Sequence, residues 1–428
     1  MPNSDEAAPL PSRSKKGAQT DLQAEVTQEI AHLIGRQAFQ DLDLEAPEMA
    51  ARQNVLRFAA RAIARWLNAD TSDCAGPHLP CSRGAAARYA GRRKKSFQTA
   101  LRPLELERAY YHCPHCQHGF YPRGGSLGVE NTSSSPAVSR MIAAVGAPVS
   151  FQEGGDLLRE LAGPSVDAKQ VERIAEQLGQ EVADDERTNL EPMTDDDLPR
   201  TPYLGLDGTG IPMRHSELLG RAGKQPDGSS ETREVKLSTI WSAESCNAEG
   251  VPVRDVGSVT YSAAIESAAS TTAGRSEFTE RVPRETSRRR FAQASRTVVI
   301  GDGSPWIWYI AQELFPSAVQ IVDRFHAKEH LSAVAQAVYG ATNPRAAEWA
   351  KRRHAELDDG RPDALPQALR RHAPSWGEAR KCTGYIRNNR LRMPYPDFRR
   401  QKLCTSSGVA EAGCNVVLGT RLKRAGMH

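Results

Sequence analysis

Three short apolar runs each lead into an aspartate: Tyr203-Leu-Gly-Leu206 into Asp207-Gly-Thr-Gly210, Thr297-Val-Val-Ile300 into Gly301-Asp302-Gly303, and Val319-Gln-Ile-Val322 into Asp323. Short apolar runs bounded by turn residues, two of them rich in β-branched side chains, predict buried strands. In an α/β sheet, ligands bind beyond the carboxyl ends of the strands, which is where these aspartates fall. Glycine beside Asp207 and Asp302 lets the backbone turn tightly and leaves room for a cation. An Asp-Gly pair by itself marks little more than a turn, so the weight rests on the order of the set.

Between the first two runs, Glu234–Trp241 and Val253–Tyr261 are strand-like and residues 266–292 form a mostly polar helical segment. Trp306–Phe315 reads as a helix, Lys328 to about Arg400 as a basic helical stretch, and Ser406–His428 as a final helix. That last helix carries Glu411 within Val409-Ala-Glu-Ala-Gly-Cys414. Three strands, a crossover, a parallel strand and a late Glu-bearing helix make the layout of an α/β ribonuclease-H-like core, with a helical insertion at about 328–400. Two-metal phosphoryl transfer needs several oxygen ligands around cations about 3.5–4 Å apart. Asp207, Asp302 and Glu411 are the candidates for that role, with Mg²⁺ or Mn²⁺.

The N-terminal half has a different texture. Residues 1–20 are polar and aperiodic and are expected to be disordered. A helical segment follows to about residue 70, with Val26, Ile30, Ile34, Leu56, Ala60 and Ile63 as its apolar positions. Residues 71–130 hold cysteines, turn residues and two β-like runs, Lys95–Leu101 and Leu104–Tyr111. Cys113-Pro-His-Cys116 with Cys81 upstream fits a zinc-ribbon-like module, for which tetrahedral zinc needs a fourth ligand, Cys74 or His78. Ser150-Phe-Gln-Glu153 and Asp167-Ala-Lys-Gln170 both fit a capping box, and Gly163-Pro164 breaks the chain between them. Val171, Ile174, Leu178 and Val182 form one stripe on the second helix, which also carries Lys169 and Arg173. Residues 131–183 are therefore expected to be a helical, helix-turn-helix-like module, and 184–200 an acidic linker ahead of the core at 201–428.

With 428 residues the chain has room for two to four units. It is 39% apolar and 25% charged, which suits a soluble protein with a real core. No apolar run approaches the roughly 20 residues of a membrane span, and no signal core is present, so a cytoplasmic protein is expected. The net charge is only +4 but uneven: eight Lys/Arg face two Glu between Arg83 and Arg108, and fifteen face seven acidic residues between Asn343 and Lys402. Such clusters suit a polyanion, because neutralised phosphates release counterions. Arg92-Arg93-Lys94-Lys95, beside Tyr89 and Phe97, and Arg390 and Arg392 of the insertion are the candidate contacts to double-stranded DNA.

The region also resembles the insertion-sequence transposases of the ISKra-type group, distant relatives of the Mutator-like DDE enzymes. The resemblance is carried by Tyr203-Leu-Gly-Leu-Asp-Gly-Thr-Gly-Ile-Pro-Met213, Arg233-Glu-Val-Lys-Leu237, Val299-Ile-Gly-Asp-Gly303 with Trp306 and Trp308, and Ile321-Val-Asp-Arg-Phe-His326. It continues through Asn388-Asn-Arg390, Met393-Pro-Tyr395, Gly408-Val-Ala-Glu-Ala-Gly-Cys414 and Arg421-Leu-Lys423, and upstream through Arg88-Tyr-Ala-Gly-Arg92 and Arg108-Ala-Tyr-Tyr-His-Cys113. It implies a DDE triad of Asp207, Asp302 and Glu411, and a supporting or DNA-positioning role for Asp323 and His326, which match a D-x-x-H pattern. It also implies a homodimer on DNA that binds terminal inverted repeats and a target. Arg83 stands where such relatives commonly carry a second cysteine. His326 and His330 have zinc-compatible spacing, but with no third ligand nearby a structural role is expected. The alternative expectation is a truncated, catalytically impaired copy acting as a DNA-binding inhibitor, since relatives continue past the Glu helix and Ser407 and Asn415 depart from their commoner residues.

Overall fold

The computed structural model describes residues 24, 27–28, 43–189, 198–220, 223, 225, 227–265 and 276–423. The polar tail, the Val26, Ile30 and Ile34 positions and the Asp195–Asp197 part of the acidic stretch lie outside them. The chain divides into two compact units, residues 1–178 and 179–428.

In the first unit, helix α1 (Glu45–Ala69) packs Ala64 and Leu67 against Phe97, Leu104, Leu106 and Val129, while Ile63 stays exposed. A four-stranded antiparallel sheet follows, in the order β1 (His78–Pro80), β2 (Ala86–Phe97), β3 (Leu104–His112), β4 (Gly119–Phe120). Strand β2 is not the expected Lys95–Leu101 run but a 12-residue strand that ends at Phe97. Its period is hidden because the register slips between Tyr89 and Arg92, at Gly91 with φ 91°, and the bulge resets which residues face inward.

Helices α2 (Pro122–Ser126), α3 (Pro136–Gly146) and α4 (Phe151–Leu157) come next, and both expected caps form. Ser150 accepts the Glu153 N–H at 3.2 Å and Asp167 accepts the Gln170 N–H at 2.7 Å. After α4 the helix widens into a π-type turn that ends on Gly163 in the left-handed region, φ 97°. Helix α5 (Ala168–Thr188) buries Val171 and Ile174 against Val138, Ile142 and Leu158. The expected stripe ends at half-buried Leu178, since Val182 is 59% exposed. The helix runs on through Asp184–Arg187, so acid-rich sequence there is helical.

The second unit is mixed α/β. Its elements are β5 (Pro202–Pro212), β6 (Thr232–Ser242), a small hairpin of β7 (Ser245–Cys246) and β8 (Pro252–Val253), β9 (Thr260–Ile265), α6 (Glu277–Arg288), β10 (Val298–Gly301), α7 (Pro305–Leu314) and β11 (Val319–Val322). The five-stranded sheet has the order β11-β10-β5-β6-β9; β5, β6 and β9 are antiparallel, and β10 and β11 run parallel to β5. Strand β5 extends well beyond Tyr203–Leu206, so Asp207 lies inside a strand rather than at its end. Its pairing with β10 nevertheless stops at Leu206, and beyond that point only β6 lies beside it.

The expected Val253–Tyr261 strand is split. Asp255 accepts the hydroxyls of Ser242 and Ser245 and the N–H groups of Glu244 and Ser245, folding this stretch into a turn. Five helices form the basic insertion: α8 (Arg324–Tyr339), α9 (Pro344–Asp358), α10 (Leu365–Arg370), α11 (Gly377–Asn389) and α12 (Tyr395–Arg400). The chain then returns to the sheet as α13 (Gly408–Gly413), a π-type turn to Gly419 and α14 (Thr420–Leu422). Among the described residues no helix is long and apolar enough to cross a membrane.

Candidate functional site

Register decides where the aspartates meet. Ile300 of β10 lies opposite Gly205 of β5 and Gly301 opposite Leu206, so Asp302 and Asp207 each come directly after the last pair. Neighbouring parallel strands stand about 4.8 Å apart, and residues level with each other share a face. Both carboxylates are half-buried. Asp207 accepts its neighbour Gly208 N–H at 2.7 Å. Asp302 accepts the Ser304 N–H at 2.8 Å and the Ser304 hydroxyl at 2.9 Å, which fixes the turn into α7.

Glu411 arrives from the far end of the chain on the same face. Gly205 is two residues before Asp207, and a Cβ there would fall 2.9 Å from Ala410 and 2.7 Å from the Trp241 ring. Gly413 sits as tightly, since its Cβ would be 2.5 Å from the Tyr261 ring. These two glycines let α13 lie almost on the backbone of β5 and β6. Cys414 is buried just after α13; burial first, and the charge of the Asp207 carboxylate next, push its thiol well above the usual range. Glu411 itself is exposed between these contacts.

The oxygens of Asp207, Asp302 and Glu411 do not form a group that all lie within 4.8 Å of one another. A closed cage around one ion would need that. Two ions about 4 Å apart, each about 2.1 Å from its ligands, would not.

Asp323 is 2% exposed and fully engaged. Its Oδ1 accepts the N–H groups of Phe325 at 2.6 Å and His326 at 2.9 Å, capping α8; its Oδ2 accepts the N–H and, at 2.8 Å, the hydroxyl of Ser407. That is the geometry of a buried tie to the start of α13, not of an open ligand competing with Asp302. His326 Nδ1 lies 3.2 Å from Glu329, and His330 packs on the Tyr385 ring at 4.2 Å. Ser407 is the residue that sequence reasoning undervalued; its partner lies 84 positions away, a distance no local pattern spans.

In the first unit, the thiols of Cys81, Cys113 and Cys116 lie within 4.8 Å of one another, and no other group of this kind occurs among the described residues. The Cys113 N–H donates to the His118 carbonyl at 2.8 Å, and Gln117 takes φ 56°, closing a tight turn around the pair. N–H groups of Cys116, then of His115, point at Cys113 and hold its thiol below the usual range. Three gathered thiols can hold a metal such as zinc. Neither candidate for the fourth position stands in the group: the Cys74 sulfur lies 3.9 Å from the Tyr111 hydroxyl, and His78 is exposed on β1.

The basic residues sort by what they touch. Arg92 is bound to buried Asp73 at 2.8 Å, Lys95 donates to the Thr132 carbonyl at 2.7 Å, and Arg392 bonds Gln320 at 2.7 Å beneath the Trp308 ring. Arg93 stacks on Tyr110 at 3.7 Å yet remains exposed, as do Lys94, Lys169, Arg173 and Arg390.

No family model matches this chain, and no curated protein matches it. Among solved structures it is similar to the Drosophila P element transposase strand transfer complex, at 11% identity and a TM-score of 0.25, over 69% of this chain and 67% of that one. A likeness that slight carries no weight beyond itself, and function is left to the side chains.

Proposed function

We propose that this chain is the DNA transposase of an insertion sequence, with a ribonuclease-H-like core that cuts and joins the element's ends. One observation supports it: Asp207 and Asp302 each come directly after the last paired residues of adjacent parallel strands, Leu206 and Gly301, and the Glu411 helix packs onto the first of these strands at Gly205. The mixed five-stranded sheet, three antiparallel strands with two parallel ones added on one side, is compatible with that core. Asp207, Asp302 and Glu411 would hold two Mg²⁺ or Mn²⁺ ions, which supply charge neutralisation at the attacking and leaving oxygens. Asp323 anchors the start of the Glu411 helix through Ser407. The exposed Arg93, Lys94, Lys169, Arg173 and Arg390 would contact phosphates of the terminal repeats and target, in a homodimer that pairs two ends. The three-thiol group would hold zinc to stiffen its sheet, with a fourth donor from outside the three.

The test uses a plasmid carrying the gene with its native flanking DNA, incubated with the full chain and Mg²⁺ or Mn²⁺. Wild type should nick and excise, whereas Asp207→Asn should bind the ends with unchanged affinity and cut at least a hundredfold more slowly, on the scale of losing a charge-stabilising group (about 10²–10³). Undiminished cutting by that variant removes Asp207 from the site. Binding without any cutting by wild type would favour a DNA-binding inhibitor, the reading that the open position of Glu411 also allows.

A further inference from the structure

Helix α11 of the basic insertion reaches back to the Asp302 turn. The Tyr385 hydroxyl donates to the Asp302 backbone carbonyl at 2.8 Å, and Asn389, one helical turn on, donates from Nδ2 to the Gly303 carbonyl at 3.2 Å. Residues four apart share a helix face, so the two side chains grip successive carbonyls of one turn. Gly303 holds φ +100°, and a Cβ there would lie 2.6 Å from the Tyr385 ring and 3.1 Å from Asn389 Nδ2. The turn is thus pressed against α11 in a backbone state that suits glycine.

Asn389 is 3% exposed, and its Oδ1 has no partner among the described residues. The amide is oriented by its two acceptors, the carbonyls of Gly303 and, at 3.2 Å, Tyr385. An unpaired buried acceptor is unfavourable, and a leucine would fill the space without it. The asparagine makes sense as a donor to this one turn.

We propose that Tyr385 and Asn389 are positioning residues that set the Asp302 carboxylate for the reaction above, so that the insertion helix forms part of the site it is inserted beside. This rests on the reading of Asp302 as a metal ligand. Ser304 fixes the carboxylate relative to the turn, and α11 fixes the turn relative to the sheet. Without the second tie the carboxylate keeps its chemistry and loses its place.

The experiment titrates Mn²⁺ alone into the full chain, followed by electron paramagnetic resonance, for wild type, Asp302→Asn, Tyr385→Phe and Asn389→Ala, with thermal melting of each. Tyr385→Phe removes one oxygen and should weaken Mn²⁺ about fivefold, the scale of one hydrogen bond. Its plasmid nicking should recover at raised Mn²⁺, a rescue that a merely structural role would not produce. Asp302→Asn separates the two ideas: if it binds Mn²⁺ as wild type does, the metal reading fails. If Asp302→Asn loses Mn²⁺ while Tyr385→Phe and Asn389→Ala keep wild-type affinity and metal dependence, the positioning role fails alone. Loss of Mn²⁺ only together with global unfolding assigns the pair to the core and also overturns the proposal.

Discussion

Asp323→Asn should loosen the Glu411 helix while leaving α8 capped, because the two oxygens of Asp323 have separate duties. Oδ1 takes the N–H groups of Phe325 and His326, and Oδ2 takes Ser407. Asparagine keeps an oxygen for the cap and turns an NH2 towards Ser407, whose hydroxyl can rotate to accept but whose backbone N–H cannot. A hydrogen bond to a charged acceptor contributes about 1.5–3 kcal/mol, and a helix cap about 1 kcal/mol. Asp323→Asn should therefore cost about 2 kcal/mol, and Asp323→Ala, which leaves every donor unpaired, about 4 kcal/mol. Ser407→Ala should cost about 1 kcal/mol, and the double variant less than the two single losses together, since both remove the same bond. Urea unfolding followed by tryptophan fluorescence gives these differences, and hydrogen exchange locates them. Faster exchange at 407–411 with unchanged protection at 325–326 is the expected pattern. Fully additive losses, or exposure of the α8 cap in place of the Ser407 region, would refute the division of labour.

Gly413→Ala pushes a Cβ to 2.5 Å from the Tyr261 ring and 2.9 Å from Leu237, so it should cost about 1–3 kcal/mol as overpacking and lift α13; a melting temperature within a degree of wild type would show that the helix does not sit as described. His354, on α9, is held below its ordinary pKa by burial first, against the hydrogen bond to the Lys328 carbonyl and the charge of Asp358, with the charges of Lys328 and Arg324 adding to the lowering. The folded state therefore binds that proton less readily than the unfolded chain, and stability should decline as pH falls below about 6.5, with a slope that His354→Gln flattens. Removing metal with a strong chelator should lower the stability of the first unit while Cys81→Ser abolishes that response; a chelator effect that survives in Cys81→Ser would separate the three-thiol group from metal binding.

Much of the scaffold was legible because its signals are local. Thr297–Ile300 and Val319–Val322 read as buried strands from four consecutive residues, and Ser150 and Asp167 read as caps from three-residue spacings, all of which stand in the structure. What failed locally failed for identifiable reasons. A bulge at Gly91 hid a strand by resetting its period, and a ring of donors around Asp255 folded a strand-like run into a turn.

The candidate site divides the same way. By itself the sequence determined which residue types accompany which runs: an aspartate after each apolar run, a glutamate on a late helix, three cysteines near one pair of turns. Only the tertiary structure decided that Asp302 and Asp207 both follow the last pair of two adjacent strands, that Asp323 is consumed by Ser407, and that Arg92, Lys95 and Arg392 are bound internally. Strand register and the approach of α13 depend on side chains hundreds of residues apart excluding water together. No interaction within a few residues of the chain carries that information.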